Sequence, residues 1–232
     1  NGLTLIHQNN MGTFTGPNIV DDVLVFAVDA GSTRSYPGSG TTVTSLVGSN
    51  TGILQNGVGF STDNGGIWDF DGTDEYINVS NYTAHQSTTG TIEAWVKPDS
   101  ISGNTYAYGA GGTGTFGATR ALRIFNGNWG VVGYGGSTED WGTGVAASTN
   151  WQHVGIGWSG TTYYFYINGV RTSATRTGIV TPIGSVLRMG NPPFNITEEF
   201  DGKIAALKCY SNVLSEAQMQ QNFNAQKSRF GL

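Results

Sequence analysis

Residues 151–169, with the sequence WQHVGIGWSGTTYYFYING, decide the fold class. They contain two runs rich in β-branched and aromatic residues, 151–158 and 163–167, with Ser159-Gly160 in the connection. Two such runs joined through a short glycine-containing connection are typical of an antiparallel hairpin. Asn168-Gly169 then supplies a second turn of the kind that tolerates positive φ. The segment therefore predicts antiparallel strands.

The composition supports a chain of many short strands. The 232 residues include 36 Gly, 11 Phe, 10 Tyr and 6 Trp, while only 12% are charged. Glycine suits tight turns, so this balance favours strands over a helical bundle. The length fits one large β domain. Cys209 is the single cysteine, which excludes an internal disulfide, and its apolar surroundings indicate a small core side chain.

Charge and hydropathy argue against two classes of partner. The formal net charge is −5, and no run of Lys and Arg is present that could neutralise a series of phosphates. Apolar runs are interrupted within about ten residues, well short of the roughly 18 to 20 that a membrane helix needs. We therefore expect neither a nucleic acid nor a membrane as partner.

Local patterns predict the remaining elements. Apolar and aromatic runs predict strands at residues 23–28, 43–47, 52–54, 66–70, 76–79, 91–96, 121–125, 130–134, 185–189 and 203–210. The spacing of 66–70 and 76–79 predicts two strand segments bent across a turn or bulge at Asp71-Gly72. Ser215 and Gln218 have capping-box spacing, which predicts a helix over 215–229. Residues 1–20 predict an irregular arm before a domain at 21–232.

Several short motifs follow one another along most of the chain. They are Phe70-Asp71-Gly72 with Tyr76, Ile92-Glu93-Ala94-Trp95-Val96, Trp151-Gln152-His153-Val154, Tyr166-Ile167-Asn168-Gly169, Leu187-Arg188-Met189-Gly190, Phe200-Asp201-Gly202-Lys203-Ile204 and Leu214-Ser215. In this order they resemble laminin-G-like domains, of the concanavalin A-like lectin and glucanase fold. The resemblance implies an all-β, two-sheet antiparallel jelly-roll sandwich with a short C-terminal helix, in which His153 is structural.

A narrower set of motifs is similar to lectin-like structural proteins of tailed bacteriophages. Strand 23–28 with Asp29-Ala30, residues 35–40 (SYPGSG), Asn64-Gly65-Gly66 and Phe70-Asp71-Gly72 occur in that order. This similarity implies a virion protein at the surface of a capsid, tail or fibre, and otherwise an extracellular protein. The expected role is to decorate the particle or to bind host-surface glycans, although a fold alone does not define a function.

The fold resemblance also implies a calcium ion. Domains of this fold often hold one through a carboxylate at the start of the last strand together with main-chain oxygens, and calcium prefers oxygen ligands. Asp201 occupies that position, and the segments around Asp29 and Asp71 are the further candidate ligands. The alternative is that Asp201 caps the turn in its Phe-Asp-Gly motif.

Residues 101–148 contain the candidate sugar contacts. A sugar site needs aromatic faces for pyranose rings and polar groups for hydroxyls. Trp129, Tyr134 and Trp141 lie among glycines, with Asn128 and Asp140 beside them. The alternative is that these aromatic residues cover the sandwich edges or a subunit interface.

The sequence does not indicate catalysis. Glycosidases of this fold place carboxylates two residues apart on a strand, so that an acid and a nucleophile flank the glycosidic bond. Asp69 and Asp71 have that spacing, but Asp71 belongs to a predicted turn. His7, His85 and His153 lack the paired spacing of a zinc site.

Three hypotheses follow. The first is a non-catalytic lectin-like virion surface module that binds glycans. The second is a purely structural virion or assembly protein without a sugar site, whose partners are other virion proteins or copies of itself as a homo-oligomer. The third is a glycoside hydrolase, which requires Asp69 and Asp71 to line a deep cleft.

Overall fold

The strand and turn patterns produce two antiparallel sheets in the computed structural model, which describes residues 18–112, 119–134, 138–176, 184–194 and 197–232. The strands are β1 Leu24–Asp29, β2 Thr42–Thr44, β3 Thr51–Gln55, β4 Gly59–Ser61, β5 Ile67–Asp71, β6 Tyr76–Ser80, β7 Thr89–Pro98, β8 Asn104–Gly111, β9 Thr119–Phe125, β10 Asn128–Tyr134, β11 Thr138–Ala146, β12 Gln152–Ser159, β13 Thr162–Ile167, β14 Val170–Arg176, β15 Val186–Met189 and β16 Asp201–Tyr210.

Each sheet contains eight of these strands. Sheet I has the order β14-β13-β12-β7-β16-β5-β4, and β1 pairs with the second half of β16. Sheet II has the order β11-β10-β9-β8-β15-β6-β3-β2. The predicted two-sheet antiparallel sandwich is therefore confirmed.

The hairpin predicted from residues 151–169 is present as β12 and β13. Ser159 pairs with Thr162 at its tip. Asn168 and Gly169 have φ values of 49° and 81°, which suits a tight turn with two left-handed residues, and β14 continues the sheet after it.

Two sequence expectations need correction. β5 and β6 do not form one bent strand, because β5 pairs in sheet I and β6 in sheet II, so the chain crosses between sheets at Gly72, where φ is +71°. Residues 101–148, which are rich in glycine, contain the four strands β8 to β11, whereas the sequence patterns predict only two strands there. β8 and β11 lack a β-branched run, so their pairing is determined by neighbouring strands rather than by local propensity.

Between the sheets lies one large core. Trp68, Trp129, Trp158, Phe26 and Tyr108 are at most 1% exposed. Burial of each such side chain contributes roughly 1.5 to 3 kcal/mol, which makes this core the main source of stability. Cys209 is buried in the same core, and burial raises the pKa of its thiol to about 12.

The predicted C-terminal helix is α1, Glu216–Gln226, followed by a 3₁₀ turn at Lys227–Phe230. Ser215 and Gln218 form the expected capping box, with Gln218 N donating to Ser215 Oγ at 3.3 Å and Ser215 N donating to Gln218 Oε1 at 2.9 Å. No helix in the described ranges is long and apolar enough to cross a membrane. Of the predicted N-terminal arm, residues 1–17 lie outside the described residues.

Candidate functional site

Helix α1 covers part of the outer face of sheet I, and the charged side chain of Glu93 is buried beneath it. Glu93 is fully buried, and Lys208 Nζ lies 3.3 Å from its Oε1 while His153 Nε2 lies 3.3 Å from its Oε2. Tyr210 Oη donates to Glu93 Oε1 at 3.1 Å, and Asn222 Nδ2 from α1 donates to both carboxylate oxygens at 3.1 and 3.0 Å. We call these five residues the Glu93 network.

The electrostatics of this network are those of a closed structural site. Burial alone raises the pKa of Glu93, but the charges of Lys208 and His153 and the hydrogen bonds outweigh it and lower the pKa to about 2. Lys208 Nζ also binds Gln226 Oε1 at 2.6 Å. Since Glu93 is sealed from solvent, these groups hold α1 on the sheet.

The outer face of sheet II is covered over only part of its width. Pro192, Pro193 and Phe194 fold over β8 and β9, where the Phe194 ring meets Tyr106 edge-on at 5.4 Å. A Cβ at Gly109 would lie 2.9 Å from Pro193 Cδ, so the close approach requires glycine there.

Beyond this covering segment, the outer surface of β15, β6, β3 and β2 is exposed, and we call it the open face. Its strands alternate cleanly: Val43, Leu54, Ile77, Val79 and Leu187 point into the core. Their neighbours point outward and are exposed or half-buried, namely Thr42, Thr44, Thr51, Ile53, Gln55, Tyr76, Asn78, Ser80, Val186 and Arg188.

Arg188 lies where the open face meets the covering segment. Its Nε donates to Asn78 Oδ1 at 3.0 Å, its Nη1 donates to the main-chain oxygen of Pro192 at 3.4 Å, and its guanidinium carbon lies 4.4 Å from the Tyr76 ring centroid. Burial lowers the pKa of Arg188 from its usual value. No carboxylate among the described residues lies within ion-pair distance of it. The face therefore holds a positioned cation that has no counterion among the described residues.

The structure separates the predicted sugar contacts. Trp129 is 0% exposed, and its Nε1 donates to Gln152 Oε1 at 3.1 Å inside the core. A fully buried ring offers no face to a sugar, so Trp129 is removed from the candidate set. Asn128 is exposed beside the Asn126-Gly127 turn.

The other predicted contacts lie on strands whose backbone alone is described. Tyr134 ends β10, and Asp140 and Trp141 belong to β11, at the edge of sheet II. Their side chains lie outside the described residues. These three residues remain predictions.

The predicted metal ligands are brought together in part. A shallow pocket of about 340 Å³, which we call the acidic pocket, is lined by Gly57, Gly59, Asp69, Phe70, Asp71, Glu75, Asp99 and Asp201. Asp71 and Asp201 are direct partners in the β5–β16 ladder. Asp29 does not line this pocket, because β1 pairs it with Ala206, further along β16 than Asp201. Both its carboxylate oxygens accept from Arg229 Nη1, at 2.8 and 2.9 Å.

Negative charge is crowded in the acidic pocket. Lys203 Nζ binds Asp99 Oδ2 at 2.6 Å and Asp69 Oδ1 at 3.2 Å, which partly neutralises those two groups. Burial, and then the neighbouring carboxylates, raise the pKa of both Asp201 and Glu75.

The acidic pocket fits a calcium ion in donor type and charge, since its side chains are oxygen donors with an excess of negative charge. The described residues contain no group of three acidic, His or Cys side chains placed to hold a metal. An ion here would therefore rest on Asp71 and Asp201, with main-chain oxygens and water completing its coordination.

Sequence reasoning missed the open face. The available signal was the period-2 alternation in residues 51–55 and 76–80, which places Tyr76, Asn78 and Ser80 on one side of a strand. Alternation does not tell which side remains exposed. That depends on the covering segment at Pro192, which only the tertiary structure reveals.

The described strands thus form a two-sheet antiparallel sandwich with one open sheet face. A sequence model of the laminin-G-like family, described as concanavalin A-like lectin/glucanases superfamily, matches residues 71–220. This match covers more than half of the chain, so the protein belongs to that family. A search of curated proteins returned no match.

Solved structures share the fold at low sequence identity. A Trypanosoma rangeli sialidase in complex with 2,3-difluorosialic acid matches with a TM-score of 0.74 and 15% identity, over 95% of this chain and 37% of the sialidase. The botulinum neurotoxin serotype D binding domain matches with a TM-score of 0.67 and 13% identity, over 88% of this chain and 52% of that chain. This chain therefore spans only part of each protein, and the likeness shows the fold alone.

Proposed function

We propose that this protein is a non-catalytic carbohydrate-binding module and that the open face is its glycan-binding surface. The observation that carries the proposal is the arrangement of the half-buried residues Arg188, Asn78 and Tyr76 at the border of an exposed polar sheet face. The segment at Pro192 forms a wall along one side of this face. A bound oligosaccharide would lie against that wall and across the strands.

The chemistry of the open face suits sugars. Thr42, Thr51, Ser80 and Gln55 present hydroxyl and amide groups that can exchange hydrogen bonds with sugar hydroxyls. Ile53 is 39% exposed between them and offers an apolar patch for the C–H face of a pyranose ring. Sites of this kind combine apolar contact with a few polar groups that fix orientation.

The family and the structural neighbours support this proposal at the level of fold. One neighbour is a receptor binding domain, of the botulinum neurotoxin C/D mosaic serotype, with a TM-score of 0.67 and 13% identity. At such low identity the likeness supports a binding role only through the shared fold. The argument for sugars rests on the residues of the open face.

We place this module at the surface of a virion, on a capsid, tail or fibre, and otherwise outside the cell. The support is the sequence similarity to lectin-like phage proteins in residues 23–40 and 64–72. Binding to host-surface glycans or decoration of the particle is the corresponding role. A structural docking body without a sugar site is the competing role, and the open face would then contact another virion protein.

The proposal includes a structural calcium ion at Asp71 and Asp201. Burial, and after it the neighbouring carboxylates, raise the pKa of Asp201 and Glu75, and the charge of the ion would offset the repulsion among those carboxylates. The ion would fasten the start of β16 to the end of β5, far in sequence but adjacent in the ladder.

Glycoside hydrolysis is a second candidate, favoured by the presence of both Asp69 and Asp71 in the acidic pocket. Against it, Lys203 binds Asp69 directly, and the aromatic residue lining the pocket, Phe70, is 1% exposed. A shallow pocket without an exposed aromatic ring offers little contact surface to a sugar ring.

The test is a glycan-array screen of the intact chain. Three proteins are compared: the wild type, the open-face variant Thr42→Ala, Ile53→Ala, and the control Thr161→Ala, Val170→Ala, whose positions lie in the β12–β13 turn and at the start of β14. All four positions are exposed, so each pair should change stability by no more than about 0.5 kcal/mol per site. We expect the wild type and the control to bind the same glycans, and the open-face variant to bind them about tenfold more weakly.

Four outcomes would overturn one part of the proposal each. If the folded wild type binds no glycan with calcium or with chelator, or if the open-face variant binds as well as the wild type, the open face is not a sugar site. If the chelator leaves the melting temperature unchanged, the calcium ion is rejected. Release of reducing sugar by the wild type, abolished in Asp69→Asn, would establish the hydrolase instead.

A further inference from the structure

We infer that the ligand of the open face carries a carboxylate and that Arg188 binds it. This inference rests on the proposed function and specifies its ligand class as acidic sugars, either hexuronates or nonulosonates. The carboxylate would lie at the wall formed by Pro192, at one end of the bound glycan.

The hydrogen bonds of Arg188 leave one side of its guanidinium available. The group has five N–H donors, of which one on Nε goes to Asn78 and one on Nη1 goes to Pro192. Three donors remain, one on Nη1 and two on Nη2, with no acceptor among the described residues. Parallel N–H groups on the two Nη atoms match the two oxygens of a carboxylate.

The charge of Arg188 also favours an anionic ligand. The buried Arg120 has no carboxylate partner among the described residues and donates to the main-chain oxygens of His85 and Ser87 and to Tyr163 Oη. By contrast, Arg229 binds Asp29, Lys208 binds Glu93, and Lys203 binds Asp69 and Asp99. Arg188 is half-buried without such a partner. A ligand carboxylate would compensate this desolvated cation, whereas a neutral sugar would not.

Arg188 is also held in position before any ligand binds. Asn78 Nδ2 donates to Ser80 Oγ at 3.0 Å, which directs Asn78 Oδ1 towards Arg188, and the Tyr76 ring supports the guanidinium plane. Binding would therefore immobilise little additional side-chain freedom.

Sheet register sets the direction of the glycan. Gly109, Arg188, Asn78, Ile53 and Thr42 form one row across β8, β15, β6, β3 and β2. Pro193 closes the row above Gly109. Because neighbouring strands are about 4.8 Å apart, Ile53 lies roughly 10 Å from Arg188, and Thr42 roughly 14 Å. An acidic sugar at Arg188 would thus be followed by one or two sugars towards Thr42.

The experiment compares acids with their uncharged esters. D-glucuronate and N-acetylneuraminate, each beside its methyl ester, are titrated into the intact wild-type chain and followed by NMR. We expect at least one acid to bind about tenfold or more tightly than its ester, because the ester loses the charge-assisted pair. The acid that binds decides between hexuronates and nonulosonates.

Two variants locate the effect. Arg188→Gln should remove the preference for acid over ester, while Arg188→Lys, which keeps the charge without the planar fork, should retain only part of it. The control Arg171→Gln changes an exposed arginine that stacks on Tyr164 at 3.8 Å in sheet I, and it should leave the preference intact.

Equal binding of acid and ester by the wild type overturns the inference, and this comparison does not depend on any variant folding. If neutral glycans bind the open face in the array while acids gain nothing, the inference fails and the proposed function stands. If no glycan binds at all, both fail.

Discussion

The outer faces of the two sheets differ in how their desolvated charges are paired. On sheet I, Glu93 is fully buried. Lys208 and His153 lie within ion-pair distance of its carboxylate, and Tyr210 and Asn222 donate hydrogen bonds to it. On sheet II, Arg188 is half-buried beside a polar surface, and no described carboxylate pairs with it.

This difference distinguishes Glu93, whose charge stabilises the fold, from Arg188, whose charge we propose binds a ligand. A buried ion whose partners all come from its own chain is costly to disturb and holds elements together. A positioned ion at a solvent-facing surface without a counterion is available to a ligand. The comparison predicts that changes around Glu93 affect stability, whereas changes at Arg188 affect binding.

The largest expected effect on stability comes from Glu93→Gln. The change leaves Lys208 buried without its anion, and breaking a buried pair in this way costs about 3 to 5 kcal/mol of unfolding free energy. Urea unfolding measures it, with Asp74→Asn at an exposed carboxylate as the control. A loss of under about 1 kcal/mol would show that Glu93 does not anchor α1.

Low pH should reduce the difference in unfolding free energy between the wild type and Glu93→Gln. The pKa of Glu93 is lowered from 4.5 to about 2 in the folded state, so its stabilisation is present above pH 4.5 and is lost as the pH falls towards 2. The difference in unfolding free energy between wild type and Glu93→Gln should therefore shrink over that range. A difference that stays constant down to pH 2 contradicts the assigned pKa direction.

A smaller effect is expected at the start of α1. Ser215→Ala removes the capping hydrogen bond to Gln218 N and should cost about 1 kcal/mol. Ser215→Asp keeps an acceptor at the cap and should recover most of that loss, as measured by thermal unfolding. Equal stability of all three proteins would show that the cap does not contribute.

Local signals explain what the sequence predicted well. The Asn168-Gly169 turn and the Ser215 capping box depend on residues close together in the chain, and both occur in the structure. The family motifs extend this to the whole sandwich. β8 escaped prediction because its glycine and alanine residues lack strand propensity and pair through their neighbours.

The candidate site was harder to predict because it depends on register between distant strands. Thr42, Ile53, Asn78 and Arg188 come from four strands and meet in one row only after pairing. Trp129 shows the converse, since its glycine-rich surroundings suggest an exposed ring, whereas strand alternation directs the ring into the core.

The central claim is that a ligand binds Arg188, the positioned cation that no carboxylate in the described part of the chain neutralises. The direct measurement follows the ¹⁵Nε resonances of the arginine side chains while the acid that binds in the ester comparison is titrated into the wild-type chain. The account predicts a saturable shift of Arg188 Nε and no shift of Arg229 Nε, because Asp29 already occupies that guanidinium. An unchanged Arg188 resonance at saturation, or equal shifts of both arginines, would contradict it.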